Sequence, residues 1–279
     1  MESHNRIAKI YSNTIQMIAV LSATEHDYYA FPLPIVVWSW RKIGCRCIVF
    51  VPSGNNPKLD LAIEYCGYNT DFYEFHCEEK RIPTFSQVSR LFGAAIPMLD
   101  KKETMIVGDS DLCVFGGFFN KLDNDRIHIV GNDLTPKDQY PMCFISMTVG
   151  DWVDVMGIDK SYQEHIAELI NPIEGINIRG EQWCYDQWYA KKRIDAGGKL
   201  NITFHPRARP GTQFAEHRVD RDDVNWRSYV NENLIDAHLW RPGYTDENFA
   251  NIMELMTPMY PNDDFTWLVD YRNEYLKLL

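Results

Sequence analysis

The residues best placed to do chemistry are Asp109 and Asp111, in the segment Met105-Ile-Val-Gly-Asp109-Ser-Asp111. An apolar run of strand character enters a glycine and then delivers two carboxylates two positions apart. If the extended chain continues, residues i and i+2 point to one side, so both carboxylates can serve one site. Such a pair suits a hard divalent ion, Mg²⁺ or Mn²⁺, which takes oxygen ligands and often completes its shell with phosphate and water. The tripeptide alone is weak: the chain holds three, Asp109/Asp111, Asp123/Asp125 and Asp220/Asp222, where about two are expected by chance. Context separates them. Asp123/Asp125 sits in a polar, Asn-containing turn and reads as a solvated loop. Asp220/Asp222 alternates with Arg218 and Arg221 and reads as an ion-pair network. Only Asp109/Asp111 follows an apolar strand. The competing reading there is a polar strand-end turn in which Asp109 caps backbone amides.

The elements that must position this pair alternate along the first half. Ile15–Leu21, Arg46–Val51, Thr70–Phe75 and Thr104–Val107 read as strands, the first two as continuous apolar runs suited to burial on both faces. Between them, Tyr28–Ile43, Lys58–Tyr65 and Phe85–Leu99 read as helices, with prolines early in the first and Thr84 as the N-cap of the third. That order predicts an α/β fold with a mostly parallel sheet and helices on both faces. Ligands of such sheets sit outside the carboxyl ends of the strands, where Asp109 and Asp111 lie. The second half adds strands at Ile127–Val130 and Cys143–Thr148 and an aromatic helix over Gln182–Arg193. A stretch from Leu200 to Asn225 reads mostly as loop, and closing helices follow at Asn248–Met256 and Asp263–Leu278. The reading places a core over 1–200 and a region of loop and helices closing over it at 201–279, together one compact domain.

Composition narrows the partners. The 279 residues carry 28 basic and 39 acidic side chains, net −11, a balance that disfavours nucleic acid and anionic membrane as non-specific partners. The seven cysteines form no CxxC and sit mostly in apolar runs, as buried thiols in a reducing compartment do. Residues 1–14 lack signal-peptide order, and the richest apolar stretch, Phe31–Val51, is interrupted by Arg41, Lys42 and Arg46. The expectation is a soluble cytoplasmic protein, or one in a host cytoplasm if the chain is viral. GxxxxGK[ST], GxGxxG after the first strand, GxSxG and HExxH are all absent, which removes support for several enzyme classes.

Three pieces of the chain together resemble a GT-A fold (Rossmann-like) glycosyltransferase, which uses a nucleotide-sugar donor. Gln87-Val-Ser-Arg90-Leu-Phe-Gly followed by an apolar strand and Gly108-Asp109-Ser-Asp111-Leu is similar to the family's helix, strand and DxD motif. Trp183-Cys-Tyr-Asp186-Gln187-Trp resembles its acidic segment on the acceptor side. Ile235-Asp236-Ala-His238-Leu-Trp-Arg241-Pro resembles the late histidine that completes the metal site in many members. The small glycosyltransferase domains of large DNA viruses infecting algae are similar too. The resemblance implies Mn²⁺ or Mg²⁺ held by Asp111, Asp109 and His238, and a UDP- or GDP-sugar donor contacted by Arg90 and by the loop bearing Thr24 and His26. A glycan or other hydroxyl compound would be the acceptor.

On that reading a divalent ion and fixed basic groups stabilise the charge that develops on the diphosphate leaving group. Arg207, Arg209, Arg218 and Arg221 are candidates for the basic groups; their alternative is ion pairing with Glu216, Asp220, Asp222 and Asp223. An inverting enzyme needs a carboxylate base. Asp186, among Trp183, Tyr185, Trp188 and Tyr189, is the candidate, because partial desolvation would raise its pKa. The alternative is a solvent-facing helical aspartate with the tryptophans in the core. For His238 the alternative is a core histidine beside Trp240. Two rival functions remain. A sugar-1-phosphate nucleotidyltransferase would carry a Gly-rich basic loop after the first strand, where this chain has Ser22-Ala-Thr-Glu-His-Asp27. A non-catalytic nucleotide-sugar or carbohydrate-binding module would bind without turnover.

Overall fold

A computed structural model describes residues 17–133, 135–171, 184–197, 201–206, 218–230 and 233–279. The first strand, β1 (Met17–Ser22), is followed by two helices, α1 (Asp27–Ala30) and α2 (Leu33–Lys42). Next come β2 (Arg46–Pro52), α3 (Pro57–Cys66), β3 (Thr70–Phe75), α4 (Ile82–Ser89), β4 (Thr104–Val107) and β5 (Leu112–Val114). The middle of the chain gives β6 (Ile127–Val130), β7 (Ile145–Thr148), α5 (Val149–Met156), α6 (Tyr162–Ile170), α7 (Tyr185–Ala196) and β8 (Ile202–His205). The chain closes with β9 (Arg218–Val219), β10 (Asp236–His238), α8 (Asp246–Met259) and α9 (Thr266–Leu276).

Seven strands form the main sheet in the order β3-β2-β1-β4-β7-β6-β8. All run parallel except β7, which pairs antiparallel with both β4 and β6. This is the mostly parallel, helix-flanked α/β architecture that the alternating sequence predicts. Both faces of the sheet are buried along its central strands, as their apolar runs require. Along β1, Met17, Ala19 and Leu21 enter one core and Ile18 and Val20 the other. Along β2, Cys47, Val49 and Val51 alternate in the same way with Ile48 and Phe50. The first core also takes α2, α3, α8 and α9; the second takes α4, α5, α6 and α7.

Several local expectations change. The helix read over Tyr28–Ile43 is two helices, α1 and α2, separated at Phe31-Pro32; proline lacks the N–H that would continue the first turn. The helix read from Phe85 begins earlier, at Ile82 with Pro83 in its first turn, so Thr84 is buried inside it instead of capping it. It also stops at Ser89 and tightens into a 3₁₀ turn over Arg90–Ala95. There Gly93 presses on the sheet: a Cβ at this position would stand 2.9 Å from Val20 Cγ1. The stretch read as loop after Leu200 supplies β8, the seventh strand of the main sheet, and β9.

A second sheet of three strands, β5-β10-β9, sits beyond the end of β4. β10 pairs antiparallel with β5, placing His238 opposite Leu112. This pairing joins residues that lie 126 positions apart (238 − 112).

Candidate active site

β4 ends at Val107, and the Gly108 N–H still donates to the Val20 carbonyl at 3.0 Å, so the backbone stays fixed to β1 one residue further. Gly108 is held closely: a Cβ would meet Leu21 Cδ2 at 3.2 Å and Trp40 at 3.3 Å. The chain then turns instead of extending, with the Leu112 N–H donating to the Asp109 carbonyl at 3.3 Å. Asp109 and Asp111 are therefore brought together by a turn at the carboxyl edge of the sheet, not by strand alternation. The Asp111 carbonyl accepts from the Leu239 N–H at 2.9 Å, which ties this turn to the residue after His238. Asp109, Asp111 and His238 each offer a ligand atom, and these atoms all lie within 4.8 Å of one another.

These residues fit a divalent ion. Two carboxylates and an imidazole are donors that Mn²⁺ or Mg²⁺ accepts. Ligand atoms sharing one such ion at about 2.1 Å each stand about 3.0 Å apart when adjacent and about 4.2 Å apart when opposite, so the three side chains would draw closer by up to an ångström or more.

A cavity of about 240 Å³ opens here. Its wall includes Asp109, Asp111 and His238, together with Thr24, Tyr29, Gln87, Arg90, Asp186, Gln187, Arg221 and Arg241. Arg90, at the start of the 3₁₀ turn, is its structural fork. One terminal nitrogen donates to Asp109 and to the Gly108 carbonyl, the other to Asp186 at 2.7 Å. Burial works against the charge on Arg90, but Asp109 and Asp186 outweigh it and hold the guanidinium firmly protonated. Burial likewise pulls the Asp109 carboxyl upward, and Arg90, joined by His238 and Arg218, more than reverses this, leaving it below its ordinary value. For Asp186, 1% exposed, burial wins over Arg90 and its pKa is raised. Its second oxygen accepts from the Gln187 N–H at 2.9 Å.

Asp111 has a side chain only 3% exposed and is held by two cations: Arg221 at 2.8 Å and Arg241 on the same oxygen. The His238 ring faces Arg218, with Nε2 at 3.1 Å, and lies 3.5 Å from Asp220. Arg218 is also 3.6 Å from Asp236, which is fully buried.

The structure brings together most of the residues singled out by sequence: Asp109, Asp111, His238, Arg90, Asp186, Thr24 and Arg221. His26 stands apart from them. Its ring is exposed and caps α1, accepting from the Tyr28 N–H at 3.2 Å, and it does not line the cavity. Arg207, Arg209 and Trp183 lie outside the described residues. The aromatic setting of Asp186 is uneven: Tyr185 and Tyr189 pack on the core, while Trp188 is 40% exposed. Arg241, Gln187 and Tyr29 were missed. Arg241 stands three residues after His238 in the same short segment, a proximity that could have marked it. Tyr29 follows from Arg241, whose guanidinium lies 4.7 Å from its ring centroid.

Arg126 pairs with Asp123 at 3.0 Å and Asp125 at 3.6 Å in an exposed turn, and Asp220 joins the Arg218 network at 3.9 Å. Of the network read around Asp220/Asp222, Arg221 pairs with Asp111 instead. A second cavity, of about 480 Å³, lies between the residues after β5 and the ends of β6 and β8. On its wall His128 and His205 face each other at 3.0 Å, and His128 also lies 3.3 Å from Asp123. Burial, helped by His128, lowers the His205 pKa to about 4.

Fold and site together define an α/β protein with a cavity walled by three aspartates, a histidine and three arginines at the carboxyl edge of its sheet. No family model and no curated protein matches the chain. Among solved structures it is similar to the galactosyltransferase LgtC in complex with donor and acceptor sugar analogs, at 12% identity and a TM-score of 0.47, over 90% of this chain and 99% of that one. It is also similar to the glycosyltransferase GlyE of Streptococcus pneumoniae, at 12% identity and a TM-score of 0.33, over 55% of this chain and 43% of that one. No helix among the described residues is long and apolar enough to cross a membrane.

Proposed function

We propose that this protein is a metal-dependent glycosyltransferase that moves a sugar from a nucleoside-diphosphate sugar to a hydroxyl acceptor such as a glycan. The observation that carries the proposal is the convergence of Asp109, Asp111 and His238 within 4.8 Å on a cavity also walled by Arg90, Arg221 and Arg241. Two carboxylates and a histidine suit Mn²⁺ or Mg²⁺, and guanidiniums beside them suit phosphate. The same combination explains how a chain of net charge −11 would take up an anion.

In this reading Asp109, Asp111 and His238 hold the ion, which when bound offsets negative charge on the diphosphate leaving group. Arg221 and Arg241 donate to phosphate oxygens, and their fixed charge favours the departing diphosphate over the intact donor. Thr24, just beyond the carboxyl end of β1, and Tyr29, in α1, offer hydroxyls to the cavity. Arg90 orients Asp109 through its fork. With one oxygen on Arg90 and the other on the Gln187 N–H, Asp186 is better suited to fixing Arg90 than to taking a proton from the acceptor. Gln187, which lines the cavity beside it, is a candidate contact for the transferred sugar or the acceptor.

The test is release of nucleoside diphosphate from a panel of UDP- and GDP-sugars with Mn²⁺, alongside an Asp111→Asn variant. Release by the parent and a loss of at least 100-fold in the variant support the proposal. Donor binding without release from any sugar, with or without added glycan acceptors, refutes it and favours a non-catalytic binding module.

A further inference from the structure

Three arginines and three aspartates line the site cavity, Arg90, Arg221 and Arg241 against Asp109, Asp111 and Asp186. Its wall is therefore close to neutral before anything binds. The neutrality is local as well as summed. Arg221 and Arg241 converge on one oxygen of Asp111, and Arg90 spans Asp109 and Asp186. The carboxylate best placed to hold a cation already has two.

Both of those arginines also have spare donors. Arg221 Nη1 and Arg241 Nε are buried yet find no hydrogen-bond partner among the described residues. A buried guanidinium N–H without an acceptor is unfavourable, and an anion in the cavity would relieve it.

Resting on the glycosyltransferase reading, we propose that Arg221 and Arg241 are exchangeable counter-ions of Asp111 that make metal binding conditional on the diphosphate. A divalent ion arriving alone must either displace two guanidiniums from Asp111 or take its other oxygen beside their charge, in each case with nothing to accept their spare hydrogen bonds. A diphosphate arriving alone adds negative charge next to three carboxylates. Arriving together, a divalent cation and the two phosphate charges of a nucleotide-sugar are neutral as a pair. The ion then takes Asp111, and the released guanidiniums take the phosphate oxygens. The two bindings are linked through a shared set of charges, and linkage makes the enhancement reciprocal. The device would keep the cavity from holding free metal that has no donor to act on.

The experiment measures free Mn²⁺ by electron paramagnetic resonance while the protein is titrated with Mn²⁺ alone and with Mn²⁺ plus saturating UDP or GDP, correcting for the metal–nucleotide complex. The parent should bind Mn²⁺ about 10- to 100-fold more tightly with the nucleotide, within the usual span of couplings. Arg221→Gln and Arg241→Gln should each bind Mn²⁺ alone more tightly than the parent, and the nucleotide enhancement should shrink in step. Arg241→Lys, which keeps a charge near Asp111, should retain most of the enhancement. Circular dichroism identifies any variant that fails to fold, and the two single substitutions test the idea separately. Tighter metal-alone binding in neither glutamine variant overturns the inference. If Asp111-dependent Mn²⁺ binding persists in that case, the glycosyltransferase reading survives. If the parent binds no Mn²⁺ with either nucleotide, both fall.

Discussion

Arg90→Met tests the architecture of the cavity most directly. The substitution keeps the apolar stem and removes the guanidinium that joins Asp109 to Asp186. The Arg90 side chain is 8% exposed and that of Asp186 2%, so Asp186 would be left as a buried carboxylate with no cation. Removing one partner of a buried pair costs roughly 3–5 kcal/mol. With an unfolding entropy of about 2.1 cal/mol/K per residue, a chain of 279 residues loses about 1.7 °C in melting temperature per kcal/mol. The expected drop at pH 8 is therefore about 5–9 °C.

The pH dependence gives the sharper check. Burial already raises the Asp186 pKa against the opposition of Arg90, so without Arg90 it rises further. A carboxyl with a raised folded-state pKa binds more protons folded than unfolded, and stability then falls as pH rises. The deficit of Arg90→Met relative to the parent should be larger at pH 8 than at pH 5. Adding Asp186→Asn, which removes the stranded charge, should recover part of it at pH 8. Scanning calorimetry reads all three. A melting temperature within 2 °C of the parent at both pH values, or a deficit that neither acid nor Asp186→Asn relieves, would refute the account of Arg90 as the charge bridge of the site.

Two further outcomes follow from the packing. Gly93→Ala places a methyl 2.9 Å from Val20 Cγ1 and 3.3 Å from Met105 Sδ, so an overpacking loss of about 1–3 kcal/mol is expected, read as a melting temperature lower by about 2–5 °C; an unchanged value would show that the 3₁₀ turn over the sheet is free to shift. His205, with its pKa lowered to about 4 by burial and then by His128, should show no ring titration by NMR between pH 5 and 8. A folded pKa below the unfolded one means fewer protons bound when folded, so His205 contributes a loss of stability as pH falls from about 6.5 toward 4. A His205 midpoint near 6.5 would contradict this.

Sequence alone carried the sheet and one end of the site. The apolar runs at β1, β2 and β4 admit little besides strands buried on both faces, and a parallel sheet presents the carboxyl ends of its strands to ligand. Asp109 and Asp111 were visible because they follow such a run directly, and Thr24 because it follows β1. What only tertiary structure decided was which charges meet. Asp111 acquires Arg241 and Arg221 from more than a hundred residues away, because β10 pairs with β5 and carries His238 and the residues after it back to the turn beyond β4. Arg90 joins Asp109 to Asp186 because a 3₁₀ turn, permitted by Gly93, sets its base against the sheet opposite the start of α7. Hydrophobic periodicity reports which face of an element is buried, since burial repeats with the element's own period. Ion pairing across elements depends on register and crossing geometry, which local sequence does not encode, and so the arginines that balance this cavity became identifiable only once the chain was folded.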